Sequence, residues 1–185
     1  MSHPNLLQQQ NAALLVVDIQ EGFQPIIADF GVIAERAATM VRGCQILDIP
    51  VFVTEQYPKG LGHTASEIKN EFDDRVSVFE KTAFSSCGAK PFVSELEDKG
   101  IKQVMICGLE THICVNQTAH DLLDRGFQVH VLSDCVISRF EHNRLAGLQK
   151  MRQSGVIESS IEMALFELMR DSRHEKFKEI QALIK

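Results

Sequence analysis

The feature that most constrains the fold is an alternation, repeated along the chain, of short apolar runs with longer segments of helical period. Short, fully apolar runs are typical of strands buried on both faces, and helical segments between them are typical of crossovers that join parallel strands. The runs are Ala12–Val17, Pro50–Thr54, Val76–Phe79, Ile101–Cys107, Val129–Leu132 and, more weakly, Gly155–Glu158. This pattern predicts an α/β fold whose sheet is mainly parallel and has roughly six strands.

Apolar stripes at helical spacing predict where the covering helices lie. The clearest stripe, between the first two runs, consists of Ile33, Ala37, Met40, Val41, Cys44 and Leu47. Shorter stripes predict helices around Phe92–Leu96, Val115–Leu123 and Phe177–Ile184. Ser-x-x-Glu capping boxes, in which the two side chains satisfy free backbone donors, predict helix starts at Ser138/Glu141, Ser159/Glu162 and Ser172/Glu175.

Length and composition predict one ordinary globular domain. A chain of 185 residues fits one domain over 1–185, and no Pro/Gly/Ser-rich linker or repeat divides it. With 44% hydrophobic and 24% charged residues, the chain matches neither a disordered nor a fibrous protein.

Charge and cysteine content indicate which macromolecules the protein can bind and in which cellular compartment it is found. The net charge of −6 and the absence of a Lys/Arg-rich run argue against a nucleic-acid partner. The first apolar run lacks a basic segment before it and is interrupted by Asp18, so neither a signal peptide nor a membrane span is predicted. Five cysteines without a CxxC motif indicate free thiols in a reducing compartment, and we expect a cytoplasmic or organellar protein.

Three residues with reactive side chains follow three of the predicted strands. Asp18 ends the first run, Lys81 follows the third, and Cys114 follows the fourth within GLETHIC. Because the carboxyl ends of parallel strands meet at one edge of the sheet, these side chains are expected to converge. The 55–71 stretch has no clear period and is predicted to be a loop beside the same site.

Each of the three residues also has an ordinary structural explanation. Asp18 could cap the following turn, Lys81 could be solvated, and Cys114 could be a buried core thiol. If Thr111 caps the next helix, however, the sulfur lies in its first turn. The positive helix end and a nearby lysine would then favour a thiolate and lower the pKa of Cys114.

Four motifs in order give the chain a resemblance to the isochorismatase-like cysteine hydrolases, in particular to their isochorismatase-domain-containing branch. The resemblance continues to the C-terminal FKEIQALIK and so covers nearly the whole chain. The motifs are LLVVDIQEGF (14–23), TEQYPKGLG (54–62), FEKTAFS (79–85) and GLETHICV (108–115).

The resemblance implies a Rossmann-like three-layer α/β/α sandwich, assembled as a homo-oligomer, with a catalytic triad of Asp18, Lys81 and Cys114. In that family the aspartate accepts the thiol proton, the lysine stabilises the thiolate, and the cysteine attacks a carbonyl carbon. The resemblance also implies a non-proline cis peptide between Leu109 and Glu110. The backbone N–H groups of Glu110 and Cys114 would form the oxyanion hole.

Departures from better-known branches of the family narrow the expected chemistry. Nicotinamidases carry an Asp-x-His metal motif where this chain reads Thr54–Tyr57, so we expect neither a metal nor another cofactor. Glu55 and His63 leave a metal-assisted hydrolase open as a weaker alternative. True isochorismatases lack the cysteine, so Cys114 favours hydrolysis of a small amide, imide or related carbonyl compound.

The remaining features leave the substrate pocket and one rival function open. Phe23, Tyr57 and Phe84 lie near the predicted site in sequence and could form the pocket wall, or they could belong to the core. The rival function is a non-catalytic or redox-responsive binding module that keeps the fold and uses Cys114 as an oxidisable thiol. Contact between Asp18 and Cys114 would favour the hydrolase.

Overall fold

The computed structural model describes residues 3–185, so Met1 and Ser2 of the predicted domain lie outside the described residues. All six predicted runs are confirmed as strands of one sheet, and the sheet is entirely parallel. The strands are β1 (Ala12–Val17), β2 (Val51–Gln56), β3 (Ser77–Lys81), β4 (Gln103–Leu109), β5 (Gln128–Ile137) and β6 (Ile157–Ser159).

Helices cover both faces of the sheet. The four predicted stripes fall on α1, α4, α5 with the residue before it, and α8. The helices are α1 (Phe30–Ile46), α2 (Pro58–Leu61), α3 (Ser66–Lys69), α4 (Lys90–Asp98), α5 (Asn116–Asp124), α6 (Glu141–Gln153), α7 (Ile161–Met169) and α8 (Phe177–Leu183).

Alternate residues of the central strand β1 face two separate hydrophobic cores. Leu14 and Val16 pack into a core shared with α1 and α7. Leu15 and Val17 pack into a second core shared with α4, α5 and α6. Because both faces are covered, every residue of β1 is buried, which explains its apolar sequence. The predicted three-layer α/β/α sandwich is thereby confirmed.

The capping-box predictions are wrong at all three sites. Helix α6 begins after Phe140, and the Ser138 hydroxyl is instead 3.0 Å from His112 Nδ1. Helix α7 is capped by Ser160, whose Oγ accepts a hydrogen bond from the Met163 N–H, because Ser159 is still part of β6. Helix α8 begins at Phe177, beyond the third predicted box.

Strand order places the predicted residues at a favourable position for a ligand site. The order is β3-β2-β1-β4-β5-β6, so the direction of chain progression reverses between β1 and β4. In doubly wound sheets, ligands bind beyond the carboxyl ends of strands at such a switch point. Here Val17 pairs with both Thr54 and Gly108, while Gln56 pairs with Lys81. Four strand ends therefore meet around Asp18.

Within residues 3–185, no helix is both long enough and apolar enough to cross a membrane.

Candidate active site

Asp18 is held at the end of β1 by its backbone and by its carboxylate. The residue has a φ of 53°, a left-handed conformation that aspartate tolerates better than most side chains. Its N–H donates to the Thr54 carbonyl at 3.1 Å. Its carboxylate, fully buried, accepts from Thr54 Oγ1 at Oδ1 (2.8 Å) and from Lys81 Nζ at Oδ2 (2.6 Å).

Lys81, the last residue of β3, supplies a fixed buried cation. Besides Asp18, its Nζ lies 2.9 Å from Gln56 Oε1 and within 3.2 Å of the carbonyl oxygens of Ala83 and Phe84. An ammonium has three protons, so these acceptors saturate it. The side chain has no exposed surface, and a buried charge of this kind is tolerated because it is paired and fully hydrogen-bonded.

Cys114 lies in a π-helical turn, Thr111–Val115, that joins β4 to α5. The residue is buried, with 6% of its surface exposed. The prediction that Thr111 caps a helix is wrong, because the turn follows Glu110 without a side-chain cap and Thr111 Oγ1 is buried without a hydrogen-bond partner. The predicted cis peptide between Leu109 and Glu110 is confirmed.

Gly108 allows β4 to approach β1 closely just before this turn. A Cβ atom at this position would lie 2.1 Å from the Val17 carbonyl oxygen. The residue also has a φ of +125°, which side chains rarely adopt. No other residue type fits without displacing one of the two strands.

The Cys114 thiol and the Asp18 carboxylate are close enough for each to shift the pKa of the other. Burial, followed by the negative charge of Asp18, raises the pKa of Cys114 to about 12, and the positive charge of Lys81 only partly offsets this. The prediction of a lowered thiol pKa is therefore wrong. Cys114 is a neutral thiol at rest, because desolvation and the adjacent carboxylate outweigh the lysine.

The same environment makes Asp18 a stronger base than a solvated aspartate. Burial raises its pKa, while the charge and hydrogen bond of Lys81, the hydrogen bond of Thr54 and the nearby Cys114 thiol act in the opposite direction. A buried carboxylate with a raised pKa, close to a thiol, has the electrostatic properties of a proton acceptor.

Glu110 anchors the start of the turn. Its buried side chain accepts hydrogen bonds at Oε1 from the N–H of Arg139 (3.0 Å) and from Arg139 Nε (3.1 Å). The turn is thereby tied to the segment that follows β5. The negative charge of Glu110 also contributes to the raised pKa of Cys114.

The predicted pocket-wall residues lie at different depths. Tyr57 and Phe84 are 54% and 55% exposed, and Phe23 is partly buried against the core that contains α1. Two of them touch the site through their backbones, since the Tyr57 N–H donates to the Lys81 carbonyl and the Phe84 carbonyl accepts from Lys81 Nζ. The contribution of their rings to a substrate pocket stays a prediction.

Glu55 and His63, the alternative metal pair, hold the loop after β2. Glu55 Oε1 accepts hydrogen bonds from the N–H and Oγ1 of Thr64, both at 2.7 Å, and His63 Nδ1 lies 2.9 Å from Oε2. Burial opposes ionisation, but these hydrogen bonds lower the pKa of Glu55 overall. In the described part of the chain, no group of three or more His, Cys, Asp or Glu side chains could hold a metal ion.

Sequence reasoning missed several polar residues that surround the Asp18–Lys81 pair. Gln56 Oε1 accepts a hydrogen bond from Lys81. The backbone N–H of Gln56 donates to Gln20 Oε1 (2.7 Å), and Gln20 Nε2 donates to the Gln56 carbonyl (3.0 Å). Thr54 donates to Asp18, and its Oγ1 lies 3.2 Å from Ser86 Oγ. Thr54 ends a predicted strand and could have been suspected, whereas nothing local distinguishes Ser86.

Comparison with known proteins agrees with this architecture. Residues 12–163 match the family profile described as Isochorismatase domain. The chain is 41% identical over 179 residues to isochorismatase domain-containing protein 2 of Danio rerio, covering 96% of this chain and 89% of the relative.

Two solved structures have the same fold. The structure of MAR1 ribonuclease from Caenorhabditis elegans has a TM-score of 0.93 and 40% identity, with 97% of this chain and 92% of that chain covered. The crystal structure of the Escherichia coli YcaC gene product, described as an octameric hydrolase of unknown specificity, has a TM-score of 0.90. At 23% identity, with 100% of this chain and 91% of that chain covered, YcaC shows likeness of fold alone.

Proposed function

The chain belongs to the isochorismatase family of hydrolases, and from that premise we propose that it is a metal-independent cysteine hydrolase. Its substrate would be a small amide, imide or related carbonyl compound, attacked by Cys114. The observation that carries the proposal is the buried Asp18 carboxylate, which accepts a hydrogen bond from Lys81 Nζ at 2.6 Å and interacts electrostatically with the Cys114 thiol. This pairing supports a site in which nucleophile, base and fixed cation act together.

The first half of the proposed reaction forms a thioester. The thiol proton of Cys114 moves to Asp18 as the sulfur bonds to the carbonyl carbon and the carbonyl electrons move to oxygen. The backbone N–H groups of Glu110 and Cys114 would stabilise that oxyanion, each donor contributing about 2.7–4 kcal/mol. When the carbonyl re-forms, the nitrogen leaves and takes the proton from Asp18.

The second half regenerates the enzyme. Water gives a proton to Asp18 and attacks the thioester carbon, and the sulfur leaves with that proton to restore the Cys114 thiol. Lys81 takes no part in these proton transfers and stays hydrogen-bonded to its fixed acceptors. A thiol with a pKa of about 12 is compatible with this scheme because proton transfer accompanies attack.

Nitrogen release from a panel of small amides and imides tests the proposal. We expect turnover by the wild type and none by Cys114→Ala, with an acyl adduct on Cys114 detected by mass spectrometry when hydrolysis is slow. Cys87→Ala, which changes another free cysteine, is the matched control and should retain turnover. Equal turnover by the Cys114→Ala variant and the wild type would exclude the covalent mechanism.

The redox-responsive binding module is less well supported. An oxidation sensor needs an accessible thiolate, whereas Cys114 is 6% exposed and has a raised pKa. The electrostatic interaction between Asp18 and Cys114 supports the hydrolase instead. Rapid oxidation of Cys114 by dilute hydrogen peroxide, without turnover of any amide, would reverse this preference.

The name of the C. elegans relative raises ribonuclease activity as a competing assignment. Our expectation of no nucleic-acid partner rests on the net charge of −6, which disfavours phosphate-rich polymers. Incubation with single-stranded RNA at low ionic strength tests it, with Cys114→Ala as a control for contaminating nucleases. RNA cleavage that requires Cys114 would contradict the small-molecule assignment.

The expected organisation, assembly and location are also proposals. We propose one hydrolase domain over 1–185, a homo-oligomer located in the cytoplasm or an organelle, and no membrane partner. The description of E. coli YcaC as an octamer supports the oligomer. Light scattering coupled to size-exclusion chromatography tests the assembly, since a mass equal to the 20.8 kDa chain would contradict it.

A further inference from the structure

A chain of three buried hydroxyl groups leads away from Asp18. Thr54 Oγ1 lies 2.8 Å from Asp18 Oδ1 and 3.2 Å from Ser86 Oγ. Ser86 Oγ in turn lies 3.3 Å from Thr118 Oγ1, which accepts the Ser86 N–H at 2.8 Å. Thr54, Ser86 and Thr118 have no exposed surface, so water does not compete for these bonds.

The direction of every hydrogen bond in this chain is fixed. A hydroxyl has one proton, and Thr54 uses its proton on Asp18. Thr54 Oγ1 must therefore accept from Ser86, and Ser86 Oγ must accept from Thr118. The far end is the backbone N–H of Ser86, which can only donate. All of the donors thus point toward the carboxylate, which keeps Asp18 Oδ1 an acceptor.

The chain also connects Asp18 to the element that contains the nucleophile. Thr118 belongs to α5, which continues directly from the turn that contains Cys114. Ser86 lies just after Phe84, whose carbonyl accepts from Lys81, so one loop contacts Lys81 directly and Asp18 through Thr54. Lys81 holds Oδ2 of Asp18, and the hydroxyl chain holds Oδ1.

We propose that Thr54 and Ser86 are positioning residues that fix the orientation of the Asp18 carboxylate toward Cys114. The inference rests on the proposed function, in which Asp18 accepts the thiol proton. Neither hydroxyl contacts the thiol, and both act through Asp18. The other titratable groups that face this carboxylate are Lys81 from β3 and Cys114 itself.

Alkylation of Cys114 by iodoacetamide tests the proposal without a known substrate. In this reaction the sulfur bonds to the methylene carbon, iodide leaves, and the thiol proton passes to Asp18. The rate at Cys114, followed by peptide mass spectrometry, should rise with pH as Asp18 ionises. This rising region, the acid limb, therefore reports on the carboxylate.

Removal of the hydroxyls should move the acid limb to higher pH. Thr54→Val keeps the shape but removes the donor to Oδ1, so the carboxylate loses a stabilising hydrogen bond and its pKa rises. We expect a rate about three- to tenfold lower on the acid limb, with recovery at higher pH. Ser86→Ala should give a smaller shift in the same direction, and Thr54→Ser should retain the wild-type profile.

Thr64→Val is the matched control for loss of a buried threonine hydroxyl. Thr64 is also buried, and its Oγ1 donates to a carboxylate oxygen, Oε1 of Glu55, at the similar distance of 2.7 Å. It lies outside the hydroxyl chain. Thr64→Val should therefore leave the acid limb in place, and a comparable shift in this variant would overturn the proposal.

An Asp18→Asn variant separates the two ways in which the inference can fail. If its acid limb matches the wild type, Asp18 is not the base, and the proposed function fails together with the positioning role. If Asp18→Asn is slow while Thr54→Val and Ser86→Ala both match the wild type, only the positioning role is overturned. If circular dichroism shows that Thr54→Val does not fold, Ser86→Ala and Thr54→Ser test the positioning role instead.

Discussion

At the scale of single residues, the Asp18–Lys81 pair is a buried ion pair whose partners depend on each other. Both side chains have no exposed surface, and their charged atoms are 2.6 Å apart. Removal of one partner from such a pair leaves an uncompensated buried charge, which destabilises proteins by about 3–5 kcal/mol.

Lys81→Met should therefore destabilise the protein in a pH-dependent way. Without the cation, the pKa of Asp18 rises further, so the folded state binds a proton more tightly than the unfolded state. The free energy of unfolding then falls as pH rises. Urea denaturation should show a larger loss at about pH 8 than at about pH 5. An equal loss at both values, or a similar loss in the exposed-lysine control Lys59→Met, would contradict this.

A second prediction at this scale concerns the resting state of Cys114. Because burial and Asp18 raise its pKa to about 12, the ultraviolet absorbance of a thiolate should be the same at neutral pH in the wild type and Cys114→Ser. Asp18→Asn removes the negative charge that raises this pKa. Its thiolate absorbance should therefore appear at lower pH than that of the wild type. A Cys114 thiolate signal already present at neutral pH in the wild type would refute the neutral-thiol state.

At the scale of elements, the site depends on how closely β4 and β1 approach at their carboxyl ends. The approach is permitted by Gly108, where a Cβ would lie 2.1 Å from the Val17 carbonyl oxygen. A second close contact lies on the other side of the nucleophile turn, where a Cβ at Gly147 of α6 would be 3.0 Å from the Thr111 carbonyl oxygen. The turn is thus packed closely against α6.

Gly108→Ala should be far more damaging than another glycine replacement at positive φ. It combines an unfavourable φ with a backbone clash, and we expect a loss of about 3 kcal/mol or more. Gly126 has a φ of +84°, but a Cβ added there would meet no atom within 4 Å. Gly126→Ala therefore measures the cost of the unfavourable φ alone, which we expect to lower the free energy of unfolding by about 1 kcal/mol. Thermal unfolding compares the two. Similar melting temperatures would mean that β4 can move away from β1.

At the scale of the whole molecule, a second polar cluster lies at the opposite edge of the sheet. Gln103 and Gln128, at the amino ends of β4 and β5, bind the carbonyl oxygens of Leu6 and Pro4 and so attach the N-terminal segment. His130 lies beside them, fully buried, with Nε2 at 3.2 Å from Gln128 Oε1 and Nδ1 without a partner.

His130 should make the stability of the protein decrease in mild acid. Burial lowers its pKa from 6.5 to about 4, so between these values the unfolded state binds more protons than the folded state. Stability is therefore lost as pH falls through this window, by up to about 3 kcal/mol. Urea denaturation across the window should show a weaker pH dependence in His130→Gln. The same replacement at the exposed His142 is the control, and an unchanged slope in His130→Gln would contradict the assignment.

The sequence by itself determined the elements and the residues that lie at their ends. Apolar runs located all six strands because buried parallel strands need apolar side chains on both faces. Asp18, Lys81 and Cys114 could be selected because their polar side chains follow such runs. The helix starts were predicted less well, since Ser159 and Ser160 are equally good caps and the end of β6 decides between them.

Only the tertiary structure decided the electrostatics of the site. Whether Cys114 is a thiol or a thiolate depends on its depth and on its contacts with Asp18 and Lys81, which come from different strands. The hydroxyl chain through Thr54 and Ser86 likewise joins elements that are distant in sequence. Burial and interatomic distance fix these properties, and neither can be read from the local period of side chains.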